Sequence, residues 1–271
     1  MPYDLPTVPR PTPFQKWLLL ASISLLRRFR NLSGSVLMLT SDLCVKFGNR
    51  LDLAEAQTML FVTKYTSIPV PKVYFAFTEK ECTYILMERI HGQMAARGWV
   101  NRSDASKLNI HNNLRKLVLE MRSLSPQSNA ICSISGGSLY DLRIPQTTSR
   151  FGPSKSTQEF HDFLRNHIQA HSNHGESFLK LIGLHAQLWG APVFTHGDLS
   201  SLNILVRGDD VVGIIDWETA GWYPPYWEHT TACQVNPQNL FWKDEIDKFL
   251  EPMPDALEME QLRQRYFGDL S

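Results

Sequence analysis

The chain has 271 residues, 43% of them hydrophobic and 11% aromatic, which is enough to bury a core in one large domain or two modest lobes. Lysine plus arginine and aspartate plus glutamate number 27 each, a balance that argues against nucleic-acid binding and against an acidic disordered tail. Cys44, Cys82, Cys132 and Cys233 form no CxxC pair and no zinc-spaced cluster, and scattered reduced thiols in a chain of this size suit a cytoplasmic protein.

In chain order, Pro9, Pro11 and Pro13 lead into an apolar stretch, Trp17 to Leu26, followed by Arg27, Arg28 and Arg30. The stretch is shorter than the roughly 20 apolar residues of a membrane-spanning helix, so no transmembrane segment is expected. The proline-rich residues before it do not resemble the basic start of a signal peptide. A packed N-terminal helix is expected, with a membrane-surface helix as the alternative. Residues 35–39 and 43–47 read as two short strands around a Thr40-Ser41-Asp42 turn. A helix is predicted over 52–65 with Asp52 as its N-cap. Ile68-Pro69-Val70-Pro71 imposes an extended segment, because proline disfavours the helical region for the residue before it. Strands are predicted over 73–77 and 83–87, joined by Glu79-Lys80-Glu81. Ile110, Leu114, Leu117, Val118, Met121 and Leu124 then recur at helical spacing, as do Phe178, Leu181, Ile182, His185, Leu188 and Trp189. The stretch between these two helices reads as loop-rich. Short strands return over 193–195, 204–206 and 211–215. A strand-rich first third and a mainly helical remainder predict an α+β protein of two lobes, with the change near residues 88–92.

The densest chemical signal is Thr195-His196-Gly197-Asp198-Leu199-Ser200-Ser201-Leu202-Asn203, followed after a short strand by Gly213-Ile214-Ile215-Asp216-Trp217-Glu218. A hairpin places Asp198 and Asn203 on the loop before one strand and Asp216 at the end of the next. Mg²⁺ takes oxygen ligands, usually one or two carboxylates plus substrate phosphates. One carboxylate is left to orient a nucleophile and accept its proton, the division of labour of phosphoryl transfer. A capped polar turn explains one such residue, but not three in this order between apolar strands.

These blocks, with Ala220-Gly221-Trp222-Tyr223-Pro224-Pro225-Tyr226-Trp227-Glu228 after them, resemble the aminoglycoside phosphotransferase and choline kinase superfamily, in a form similar to its fungal members. The resemblance runs from about residue 34 onward. It implies a protein-kinase-like bilobal fold with a small β-rich N-lobe, and transfer of the γ-phosphate of ATP to a hydroxyl of a small molecule. It implies Asp198 as the catalytic base and Asn203 and Asp216 as ligands of Mg²⁺. Lys46 in Cys44-Val45-Lys46-Phe47-Gly48 falls where the family's phosphate-binding lysine stands, and Glu55 where its helical partner stands. Tyr84-Ile85-Leu86-Met87-Glu88-Arg89-Ile90 resembles the strand and hinge that hold adenine, with backbone groups near Glu88 and Ile90 and apolar walls from Met87 and Val45. The implied division is an extension over 1–33, a nucleotide-binding lobe over 34–89, and a catalytic and acceptor-binding lobe over 90–271. The acceptor is expected near residues 136–151 and the C-terminal helices. Two departures stand out: Gly34 is all that remains of a glycine-rich phosphate loop, and Ser201 replaces a frequent proline. Glu218, Glu228 and His196 read as structural hydrogen-bonding groups, and Trp217, Trp222, Tyr223, Tyr226 and Trp227 as packing. A nucleotide-binding pseudokinase and a protein-hydroxyl kinase are the alternatives. The second lacks an Ala-Pro-Glu-type segment after Asp216.

Overall fold

The computed structural model describes residues 3–30, 32–141, 143–144, 150–171 and 173–268. In chain order the elements are α1 (Pro13–Leu26), β1 (Val36–Met38), β2 (Leu43–Gly48), α2 (Leu53–Tyr65), β3 (Val73–Glu79), β4 (Cys82–Glu88), β5 (Gln93–Met94) and α3 (Asp104–Ser123). Then come β6 (Leu139–Tyr140), β7 (Arg150–Phe151), α4 (Thr157–Leu164), α5 (Glu176–His185), β8 (Val193–Thr195), β9 (Ile204–Arg207) and β10 (Asp210–Ile214). The last are β11 (Gly221–Tyr223), α6 (Trp227–Ala232), α7 (Lys243–Ile246) and α8 (Pro254–Phe267). The chain forms two compact units, Met1–Ile110 with Leu202–Glu218, and His111–Ser201 with Thr219–Ser271. Each unit is thus built from two segments that alternate along the chain.

The first unit is built on an antiparallel sheet in the order β1-β2-β4-β3. Alternation sets which side of β2 does what. Val45 is fully buried with Leu37, Phe75, Leu19 and Ile23, whereas Cys44 and Lys46 face a cavity. The expectation that Val45 walls the adenine site is therefore corrected by strand parity. Asp52 caps α2 by accepting from the Ala54 N–H (2.8 Å), as its position predicted. The helix presents Glu55, Met59, Phe61 and Val62 inward. A second sheet, β10-β9-β5, joins the hinge after β4 to the β9–β10 hairpin. Glycine makes this approach feasible. A Cβ on Gly92 would stand 2.8 Å from Val212 Cγ2, and one on Gly213 2.7 Å from Ile90 Cδ1. The expected N-terminal helix forms, opened by a Thr12–Gln15 capping box with Pro13 in the first turn. It buries only Leu19 and Ile23.

The second unit packs α4, α5, α6 and α8 around a core that includes Phe160, Leu181, Tyr223, Tyr226, Trp227 and Met259. The aromatic residues after Asp216 are packing residues, as expected; the rings of Tyr223 and Trp227 stack at 5.4 Å. Gly221 lies hard against Leu139 and the Cys132 carbonyl, so no side chain fits there. Two expectations are corrected. The predicted helix through Trp189 ends at His185, and Leu188 is almost fully exposed. The loop-rich stretch contains α4, whose N-cap Ser156 accepts from the Glu159 N–H (3.2 Å). Residues 145–149 of the expected acceptor segment lie outside the described residues.

Candidate active site

The first unit contains a cavity of about 770 Å³. Seven of the residues singled out from the sequence line it: Lys46, Glu55, Met87, Glu88, Ile90, Asn203 and Asp216. Asp198 belongs to the second unit.

At the cavity wall the Lys46 ammonium donates to both Glu55 carboxylate oxygens (3.0 and 2.8 Å) and to Asp216 Oδ1 (2.5 Å). Glu218 Oε2 stands 3.4 Å from the same nitrogen. Lys46 and Glu55 are buried, while Asp216 and Glu218 are about one-third open to solvent. Burial by itself would depress the Lys46 pKa, but Glu55, Asp216 and Glu218 outweigh it and hold the ammonium above the ordinary lysine range. Burial pushes the Glu55 carboxyl up, to about 7, against the pull of Lys46, and the charges on Asp216 and Glu218 push the same way. Three carboxylates around one ammonium leave an excess of negative charge. Oxygens of Glu55, Asp216 and Glu218 lie within 4.8 Å of one another because all three converge on the Lys46 ammonium; Asp216 and Glu218, the more open pair, are hard oxygen donors of the kind a divalent cation takes.

The backbone carries Asp216 into place. Ile215 N–H donates to the Asn203 carbonyl (2.9 Å), tying the end of β10 to the start of β9. Asp216 itself has φ +67°, a left-handed conformation that non-glycine residues rarely adopt and aspartate tolerates better than most. At the other wall, the Glu88 N–H donates to the Lys72 carbonyl (2.9 Å), and the Glu88 carbonyl accepts from Cys44 Sγ (3.5 Å). Gly34, with φ +58°, forms a tight turn between Ser33 and Val36, whose backbones exchange two hydrogen bonds (2.9 and 3.0 Å). Ser33, Gly34 and Ser35 line the cavity, so this short turn stands where the resemblance implies a longer glycine-rich loop.

In the second unit, Asp198 ends a loop fixed from several sides. Buried Glu228 accepts from the backbone N–H groups of His196 (2.7 Å) and Gly197 (3.1 Å). Thr219 Oγ1 donates to the His196 carbonyl (2.8 Å). Arg143, paired in fork geometry with Asp141 (2.7 and 2.8 Å), donates to the Gly197 carbonyl. Burial would lower the Arg143 pKa, but Asp141 chiefly, with Asp198 and Tyr223, raises it, so the guanidinium stays charged beside Asp198. His196 Nδ1 accepts from the Asp198 N–H (3.1 Å), which leaves that ring nitrogen without a proton. Gly197 has φ +82°, and a Cβ there would lie 3.1 Å from the Thr219 carbonyl oxygen.

Sequence reasoning missed two features. Glu218 is a hydrogen-bond acceptor, as expected, but its donor, Lys46, was not foreseen; its spacing two residues after Asp216 is the available signal. The Arg143–Asp141 pair has no local signal, because it meets the 196–198 loop across a long sequence separation. Glu228 is the structural acceptor expected, with a defined target.

Residues 41–266 match the model of the phosphotransferase enzyme family. Comparison with curated proteins gives no match. Among solved structures, the chain is similar to a thermostable mutant of aminoglycoside phosphotransferase APH(4)-Ia in ternary complex with ADP and hygromycin B. That likeness has 13% identity over 89% of this chain and 87% of that one, with a TM-score of 0.59. It is also similar to macrolide 2'-phosphotransferase MphH from Brachybacterium faecium (14% identity, 93% and 90% covered, TM-score 0.53). A third is ADP-bound aminoglycoside phosphotransferase APH(2'')-Ib (12% identity, 88% and 84% covered, TM-score 0.52). At these identities the likeness establishes the α+β, protein-kinase-like fold. The family model spans both compact units, and the chain belongs to the phosphotransferase enzyme family.

Proposed function

We propose that the protein transfers the γ-phosphoryl group of ATP to a hydroxyl of a small molecule. The observation that carries this reading is the buried Lys46–Glu55 pair joined to Asp216 on the wall of a nucleotide-sized cavity. In this reading the adenine lies against Met87, with the Glu88 carbonyl and the backbone near Ile90 as its polar contacts. Lys46 steadies the phosphates, and Glu55 fixes the rotamer of the lysine. Asn203 and Asp216 would hold Mg²⁺, which supplies positive charge against the phosphate oxygens when bound. Asp198 orients the acceptor hydroxyl and takes its proton. The anchored backbone around it limits the conformations from which that transfer must be reached.

The acceptor is neutral or carries a single positive charge. Support comes from the segment 128–175, where Asp141, Glu159 and Asp162 are matched by Arg143, Arg150, Lys155 and Arg165, and from residues 229 onward, where eight acidic residues against four basic ones make the stretch only mildly acidic. A polycationic acceptor needs a strongly acidic pocket. ADP release with Mg²⁺ and ATP against a panel of neutral alcohols, amino alcohols and polycations tests both statements. A higher kcat/KM for the neutral or monocationic class is expected. Preference for polycations that weakens steeply with salt would overturn the acceptor assignment, and no nucleotide binding by calorimetry would overturn the reading as a whole.

A further inference from the structure

Helix α1 is apolar on two opposite faces. Its inner face, through Leu19 and Ile23, joins the core with Leu37, Val45 and Phe75. Its outer face carries Phe14, Trp17, Leu18, Ala21 and Leu25, spaced i, i+3, i+4, i+7 and i+11, which is one stripe of a helix. This stripe is open: Phe14 is 68%, Trp17 64% and Leu25 57% exposed. Just beyond the helix end, Phe29 is 78% exposed. With aromatic side chains of about 150–250 Å² each, the helix residues alone leave on the order of 500 Å² of apolar surface in water, more than scattered single exposures produce.

The chain segment that carries the stripe is basic. Residues 5–41 contain Arg10, Lys16, Arg27, Arg28 and Arg30 and no aspartate or glutamate, in a chain whose overall charge is zero. Lys16 pairs with Glu79 (2.9 Å), and Arg30 donates to the Met38 and Leu39 carbonyls (2.8 and 3.1 Å). Arg27 and Arg28 project into solvent beside Phe29. A second copy of this chain laid on the stripe would bring two basic segments together, which like-charge repulsion opposes. An anionic lipid surface is complementary in both respects: it accepts tryptophan, phenylalanine and leucine at the headgroup boundary and neutralises arginine.

We propose that the outer face of α1, with Arg27, Arg28 and Phe29, docks the protein on an anionic bilayer surface. The helix is already formed and fixed. Its N-terminus is capped, its inner face is packed, and the Ala76 N–H holds the Pro9 carbonyl before it (3.0 Å). Binding therefore needs no coupled folding, so little ordering entropy opposes it. The helix lies on the bilayer rather than crossing it; no helix among the described residues is long and apolar enough to span a membrane.

The test uses the full chain with vesicles of phosphatidylcholine alone and of phosphatidylcholine with phosphatidylserine. Among the described residues Trp17 is the exposed tryptophan of the seven, so insertion is read as a blue shift of emission as well as by co-sedimentation. Binding to the phosphatidylserine vesicles is expected, weakening with salt. R27E/R28E should reduce the partition coefficient at least tenfold, since each basic residue near such a surface contributes about 1 kcal/mol. F14S/W17S should reduce it by a similar factor. Both variants replace exposed side chains and should keep the wild-type circular dichroism spectrum. Equal binding to the two vesicle types, or no binding at low salt, would overturn the proposal. So would a dimer in sedimentation velocity that F14S/W17S dissociates, because it would assign the stripe to a second copy.

Discussion

Replacing Glu228 with glutamine probes how firmly the second unit holds the loop that carries Asp198. Burial raises the Glu228 carboxyl to about 7, and the N–H groups of His196 and Gly197, with Arg122 and Arg143, oppose that rise. In an unfolded chain the group titrates at its ordinary value of 4.5. Between these two values the folded protein binds the proton more tightly than the unfolded chain. Stability from this group is therefore complete below about pH 4.5, falls as pH rises, and levels off above about pH 7. The loss across the window is about 3 kcal/mol at 1.36 kcal/mol per pH unit, or on the order of 5 °C in Tm for a chain of this size. Glutamine does not titrate. It keeps one acceptor oxygen but turns an amide N–H₂ toward a second donor, which destabilises by about 1–3 kcal/mol. Thermal unfolding of wild type and E228Q should be measured at pH 5, 6, 7 and 8. The gap between their Tm values should be widest at pH 5 and shrink toward pH 8. Glu55 titrates in the same range but is present in both proteins, so it cancels in the difference. A gap that stays constant from pH 5 to pH 8 would refute the argument.

Three further substitutions address the site. Asp216→Ala should abolish Mg²⁺-dependent ADP release while the circular dichroism spectrum stays unchanged; retained activity would remove Asp216 from the chemistry. Asp198→Asn preserves the loop but removes the proton acceptor, so turnover should fall by about two orders of magnitude or more, with nucleotide affinity by calorimetry little altered. An equal loss of nucleotide affinity would contradict that role. Gly197→Ala must place a side chain at φ +82° against Thr219, and should destabilise by about 1–2 kcal/mol from backbone conformation alone; an unchanged Tm would show that the loop relaxes freely.

Local rules made some features of this chain readable in advance. The Asp52 cap, the β2–β4 strands and the long α3 periodicity depend on neighbours in sequence, and the structure has them near the expected positions. The Ser156–Glu159 cap is equally local, a Ser-x-x-Glu signature set in an otherwise loop-like stretch. Other features depend on parity or on distant partners. Val45 and Cys44 are both apolar, and only the register against Leu86 and Met87 decides which faces the cavity. Leu188 fits a helical stripe by spacing, yet α5 has already ended at His185. Arg143 reaches the Gly197 carbonyl across a separation that no spacing rule covers.

The discontinuity of the first unit has a consequence for biosynthesis. Its sheet, α2 and the Lys46–Glu55 pair are encoded before residue 111, but Asn203, Asp216 and the β9–β10 hairpin follow only after the whole of 111–201. At about 5–20 residues per second, a ribosome spends roughly 5–20 s between the two parts. During that interval β5 has no strand beside it, Ile90 lacks the cover of Gly213, and Lys46 has one carboxylate partner instead of three. The cavity wall is thus closed by the last segment of the first unit to be made, and a nascent chain is denied a complete pocket until synthesis has passed Glu218.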